Sequence, residues 1–129
     1  MKKKLMVAAV LSSVVVGAVS AAAYSGSYSF DIGYEVKGTN VHSLENIATS
    51  TTAKADSFNY DGTRSTSKDN YSVQLYKNFY TYYTVSNLLA DDSSQTKNFG
   101  KIDKGNYTIN VSKNGGSAAK IIGVGTINQ

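Results

Sequence analysis

The chain has 129 residues, with 13 basic and nine acidic side chains for a net charge of +4, and it lacks Cys, Pro and Trp. With no Cys, neither a disulfide framework nor a thiol nucleophile is available. Lys2, Lys3 and Lys4 carry most of the excess charge; from residue 24 onward the chain is close to neutral at +1, with no electrostatic footprint for nucleic acid.

Those three lysines are followed by an apolar run from Leu5 to Val19, and then by Ala21-Ala22-Ala23. This is the layout of a secretory signal peptide, expected to be cleaved after Ala23. The run is short for a membrane span of roughly 20 residues, so no stable span is expected after cleavage. Residues 24–129 are enough for a single domain. The tri-lysine start and alanine-rich end point to a secreted, extracellular bacterial protein of Gram-positive type. The N-x-S/T triplets at Asn70, Asn106 and Asn110 are then chance matches.

Tyr28, Phe30, Ile32, Tyr34 and Val36 alternate with smaller or polar residues, predicting one half-buried strand. Lys37 to Asn40 reads as a turn. Val41 to Ile47 fits a short strand or one helical turn. From Ala48 to Phe58 the Ser, Thr and Ala content predicts a polar edge strand, with Thr49, Thr51, Ala53 and Ala55 on its inner face. Tyr60 to Asn70 reads as a loop.

The stretch from Tyr71 to Val85 holds five of the ten tyrosines and is the expected centre of the core. Tyr71, Val73 and Leu75 alternate with Ser72 and Gln74, and a tight connection at Lys77-Asn78 would pair them with a second strand over 79–85; the alternative is one long bent strand with a bulge. Leu88 to Ser94 reads as a short helical turn leading into a polar loop. A short strand over 99–102, a turn at Asp103-Lys104-Gly105 and an alternating strand over 106–113 follow. Asn114-Gly115-Gly116 is a hairpin signal before a last strand over 119–127. In that strand Gly123 and Gly125 imply a close backbone approach or a bulge.

Strands broken by turns, without a long amphipathic helix, predict an all-β domain. The expected architecture is an antiparallel two-layer β-sandwich, jelly-roll or Ig-like, of about seven to eight strands over 24–129. Gly105-Asn-Tyr107-Thr-Ile109-Asn-Val111, after the acidic turn, together with Tyr71-Ser-Val-Gln-Leu-Tyr76, resembles the pre-peptidase C-terminal-like extracellular modules of bacteria. That resemblance implies a small accessory β-sandwich rather than an activity.

Catalytic signals are weak. His42 is the one histidine, and no nucleophile motif accompanies it. Asp61, Asp69, Asp91, Asp92 and Asp103 lie in predicted loops and turns, without the spacing of a calcium loop. Glu35 and Glu45 have no context that marks a glycosidase pair. The expectation is therefore a non-enzymatic, cofactor-free, cysteine-free and tyrosine-rich cell-surface or extracellular binding or structural module. Its expected partners are cell-wall polysaccharide or another surface protein. A carbohydrate-binding form of this reading uses Tyr80, Tyr82 and Tyr83, because tyrosine offers a flat apolar face and a hydroxyl. A secreted toxin or antimicrobial protein is a further class, from the Ser/Thr-rich pattern of residues 48–58.

Overall fold

The computed structural model describes residues 24–129, and the signal-peptide reading of residues 1–23 lies outside them. The described residues are all-β, with nine strands: β1 (Ser25–Ile32), β2 (Glu35–Lys37), β3 (His42–Leu44), β4 (Ala48–Phe58), β5 (Asn70–Asn78), β6 (Thr81–Leu89), β7 (Asp91–Lys101), β8 (Gly105–Lys113) and β9 (Lys120–Asn128). Two antiparallel sheets result. The four-stranded sheet has the order β1-β9-β4-β7; the five-stranded sheet has β2-β8-β5-β6, with β3 pairing further along β8. Their inner faces share one core, in which Tyr71, Val73, Leu75, Ile109 and Val111 of the larger sheet meet Phe30, Ile32, Ala53, Ala55 and Ile121 of the smaller.

Among the described residues only β5–β6 is a hairpin within a sheet; each of the last three connections crosses from one sheet to the other. The run from Tyr28 to Val36 is accordingly two strands. Tyr28, Phe30 and Ile32 point inward on β1, then the chain changes sheet at Gly33-Tyr34, leaving Tyr34 exposed. The Asn114-Gly115-Gly116 segment likewise joins sheets rather than making a hairpin. Its two glycines have positive φ, and a Cβ on Gly116 would collide with the carboxylate of Asp69.

β4 is central rather than an edge, paired with β9 on one side and β7 on the other. Its small inward residues, with Gly123 and Gly125 on β9, make room for the rings of Tyr28 and Phe30 lying across the sheet. A Cβ on Gly123 would stand 2.7 Å from the Phe30 ring, and one on Gly125 would strike the Tyr28 ring. The close approach expected at these glycines is present: Gly125 lies against the Tyr28 ring of β1, and Gly123 lies between the Phe30 ring of β1 and Lys54 and Ala55 of β4.

Two further differences concern the middle of the chain. The β5–β6 turn is Phe79-Tyr80, two residues later than Lys77-Asn78, because the Asn78 side chain caps it. Its Oδ1 accepts the amides of Tyr80 and Thr81, both at 2.9 Å. The polar segment from Asp91, expected as a loop, and the short strand expected from Phe99 form one eleven-residue edge strand, Asp91–Lys101, in which Gln95, Lys97 and Phe99 are half-buried. Asn87 and Asp92 take positive φ on either side of the Leu89–Asp91 corner, a conformation Asn and Asp accept more readily than most residues.

At the β7–β8 crossover the Tyr107 hydroxyl donates to the carbonyl of Asp103 at 2.5 Å, while the Asp103 amide donates to the Tyr83 hydroxyl at 3.0 Å. A tyrosine bonding back to the backbone four residues upstream is the tyrosine corner of β-sandwiches. Burial, followed by the nearby Tyr83 and Asp103, pushes the Tyr107 phenol up to about 12.

Candidate functional site

The outward residues of the larger sheet line up in rows because the strand register is fixed by the buried alternate positions. Tyr82 on β6 lies opposite Tyr76 on β5, and Tyr76 lies opposite Thr108 on β8. In the next row Thr84, Gln74, Asn110 and Lys37 follow one another across four strands, and Ser72, Ser112 and Glu35 continue the pattern beyond. Directly opposed residues have Cβ atoms about 4.5–5.5 Å apart, so the rows form a continuous surface.

This surface is a shallow groove of about 520 Å³ bordered by Tyr76, Thr108, Gln74, Asn110, Lys37 and Glu35. Its polar groups are pre-set by one another. Asn110 Nδ2 donates to Gln74 Oε1 and Gln74 Nε2 donates to Thr84 Oγ1, both at 3.1 Å. Each amide still has free donor or acceptor capacity toward solvent. Lys37 and Glu35 close the far end as a loose, exposed ion pair at 3.7 Å, worth little by itself. One end is thus aromatic, the middle is a hydrogen-bonding ladder, and the other end is charged.

The three tyrosines singled out from the sequence go to different places. Tyr82 is 53% exposed and stands beside the groove, paired across the strands with Tyr76, which lines it. Tyr80 is 83% exposed, at the hairpin tip rather than on the sheet face. Tyr83 packs its ring against the core and beside Tyr107, with centroids 6.2 Å apart, and its hydroxyl is taken by Asp103. Sequence reasoning passed over Tyr76 and Gln74. Both alternate with the inward Tyr71, Val73 and Leu75, and that parity was the available signal. Asn110 shares that parity, alternating with the inward Ile109 and Val111, but its place beside Gln74 and Lys37 comes only from strand pairing.

The other titratable groups are engaged elsewhere. His42 is buried, with Nδ1 hydrogen-bonded to the Tyr24 hydroxyl at 2.7 Å, and burial holds its pKa below the ordinary value. Burial pushes the Asp56 carboxyl up, but Lys68 at 2.7 Å, the Ser57 amide and Arg64 more than offset this and leave it below the usual range. Asp69 pairs with Lys113 at 3.1 Å in nearly complete burial. Asp61 and Asp91 are exposed caps for Thr63 and Ser93, bonds that lower their pKa. Among the described residues, no three His, Cys, Asp or Glu side chains gather as a metal-ligand set.

Compared with known proteins, the chain matches no family model, no curated protein sequence and no solved structure.

Proposed function

We propose that this chain is an exported, non-enzymatic binding module whose site is the outer groove of the five-stranded sheet, and that the ligand is a neutral, extended glycan. The observation that carries this reading is the juxtaposition of Tyr82 and Tyr76 with the Gln74–Asn110 amide ladder. A pyranose presents an apolar face of C–H groups and a rim of hydroxyls. A tyrosine ring suits the first, and side-chain amides, each offering donors and an acceptor, suit the second. The groove is shallow and runs across several strands, which suits a chain of sugars rather than one enclosed residue.

The strand orders support a finer reading of the architecture. If β2 and β3 are counted as one interrupted strand, the sheets run 1-8-3-6 and 2-7-4-5, the order of a jelly roll. Lectin domains use this architecture, an analogy of fold that adds weight without assigning an activity. The signal-like residues 1–23 favour an extracellular setting, where cell-wall polysaccharide is the nearest glycan.

Affinity electrophoresis through gels containing soluble polysaccharides, including a purified Gram-positive wall polymer, tests the proposal. Retardation by at least one polymer is expected, and Tyr82→Ala should weaken it about tenfold or more. Covering an aromatic face contributes on the order of 1.5 kcal/mol. Unretarded migration in every polymer would sink the reading.

A further inference from the structure

The β5–β6 hairpin ends in a feature that neither the core nor the groove explains. Phe79 and Tyr80 occupy the two central positions of the turn, 72% and 83% exposed, with rings stacked at 4.3 Å. Two-residue turns favour Asn, Gly and Asp, and here the Asn78 side chain makes the turn bonds. Nothing in the turn's geometry asks for aromatic residues: neither position has a positive φ. The pair is a convex, apolar projection. It has no walls to enclose a sugar, and two side chains fall far short of the roughly 800 Å² per partner of a standard protein interface.

The same end of the sandwich carries three lysines. Lys77, one residue before the Asn78 cap, reaches the Lys104 carbonyl with its Nζ at 3.1 Å, and Lys101 ends β7 at this level. Two acids share this end. Glu45 makes a loose exposed pair with Lys104 at 3.6 Å, and Asp103 has its backbone tied to Tyr83 and Tyr107. Three lysines against two carboxylates leave the end positive. The chain also enters the domain here: the Tyr24 carbonyl accepts the Gln129 amide, and the Gln129 side chain bonds the backbone of Glu45. The apolar run of residues 5–19 precedes Tyr24 in the sequence.

We propose that the Phe79–Tyr80 tip is a docking element for an anionic lipid surface. Tyr80, with one apolar and one polar side, suits the interfacial layer, and the stacked Phe79 ring adds apolar area beside it. Lys77, Lys101 and Lys104 stand behind them, at the level of the headgroup phosphates. Docking at this end leaves the groove of the larger sheet facing sideways and open, so the lipid site and the glycan site are separate and independently testable.

The chain contains no Trp, so Phe79→Trp places a single fluorescent reporter on the tip, and Tyr60→Trp places one in the exposed loop at the opposite end. Vesicles of equal parts phosphatidylglycerol and phosphatidylcholine should shift the emission of the Phe79→Trp protein to shorter wavelength. Brominated acyl chains should quench it, and the Tyr60→Trp protein should show neither effect. Lys77→Gln and Lys104→Gln should each weaken partitioning about fivefold, the effect of one basic residue near an anionic surface. The double variant Phe79→Ser, Tyr80→Ser should lose vesicle binding while keeping its melting transition and any retardation by polysaccharide. No spectral response at position 79, an equal response at position 60, or equal binding to phosphatidylcholine alone would overturn the proposal.

Discussion

The hydroxyl of Tyr107 donates to the carbonyl of Asp103, while Tyr83 accepts the amide of the same residue, so two tyrosines hold residue 103 from both sides. This clasp fixes the crossover from β7 in the smaller sheet to β8 in the larger, and therefore the register that aligns Thr108 and Asn110 with Tyr76 and Gln74. A buried hydrogen bond contributes about 0.5–1.5 kcal/mol, and an orphaned partner costs about 1–3 kcal/mol. Tyr107→Phe should lower stability by about 1–2 kcal/mol in urea denaturation. Tyr83→Phe, acting on a more exposed bond, should cost less.

Tyr71 presents the opposite case. Its ring is fully buried against Phe30, with centroids 5.4 Å apart, yet its hydroxyl has no hydrogen-bond partner among the described residues, and burial drives its pKa upward. An unpaired buried hydroxyl destabilises the folded state. Tyr71→Phe should therefore leave stability unchanged or raise it by about 1 kcal/mol, read as the shift of the urea midpoint. A loss as large as that of Tyr107→Phe would mean that the hydroxyl is satisfied in solution.

The Asp69–Lys113 pair is the most deeply buried ion pair described, with side-chain exposures of 2% and 10%. Lys113 Nζ also donates to the carbonyls of Gly115 and Gly116, and Asp69 accepts the Ala118 amide, so the pair organises the β8–β9 crossover. Asp69→Ala leaves a buried ammonium without its counter-charge and should cost about 3 kcal/mol. Gly116→Ala should be at least as damaging, since its Cβ would occupy the place of the Asp69 carboxylate at a positive φ. Thermal denaturation of both variants beside the parent checks this.

The pH dependence has a histidine stage and a carboxylate stage, the second shared by Asp56 with the exposed caps Asp61 and Asp91. His42 has a folded pKa below its unfolded value near 6.5, so the unfolded chain takes up the proton first. Its stabilising contribution is complete above pH 6.5 and declines as pH falls below that value. Asp56 has a folded pKa below the unfolded carboxylate value near 3.9, so its contribution is complete above about pH 4 and is lost further into acid. A stability profile should fall in two stages, and His42→Gln should flatten the first while leaving the second. A single acid transition unaffected by that substitution would contradict the assignment.

The sequence made legible those strands whose inward and outward residues differ in kind. β8 alternates Tyr107, Ile109 and Val111 with polar residues, and β5 does the same with Val73 and Leu75. Of β7 only the end from Phe99 is legible, because Ser93, Ser94, Thr96 and Asn98 have the local chemistry of loops; only pairing with β4 draws them into a ladder. β4 looked like an edge because Thr and Ala are small, yet smallness is what lets Tyr28 and Phe30 cover it. For the site, Tyr82 was visible as excess aromatic bulk, whereas Lys37 and Asn110 are 73 residues apart and meet through one strand pairing. No local pattern records such a meeting.

The central claim is that a glycan lies across the outer face of the five-stranded sheet. Backbone amide chemical-shift mapping, with a polymer that retards the protein or an oligosaccharide cut from it, tests this most directly. The account predicts shifts concentrated at residues 72–76, 82–86 and 108–112, abolished together by Tyr76→Ala with Tyr82→Ala and unaffected by Tyr60→Ala. Shifts confined to the four-stranded sheet or to the loop around Tyr60, or binding that survives loss of both tyrosines, would contradict it.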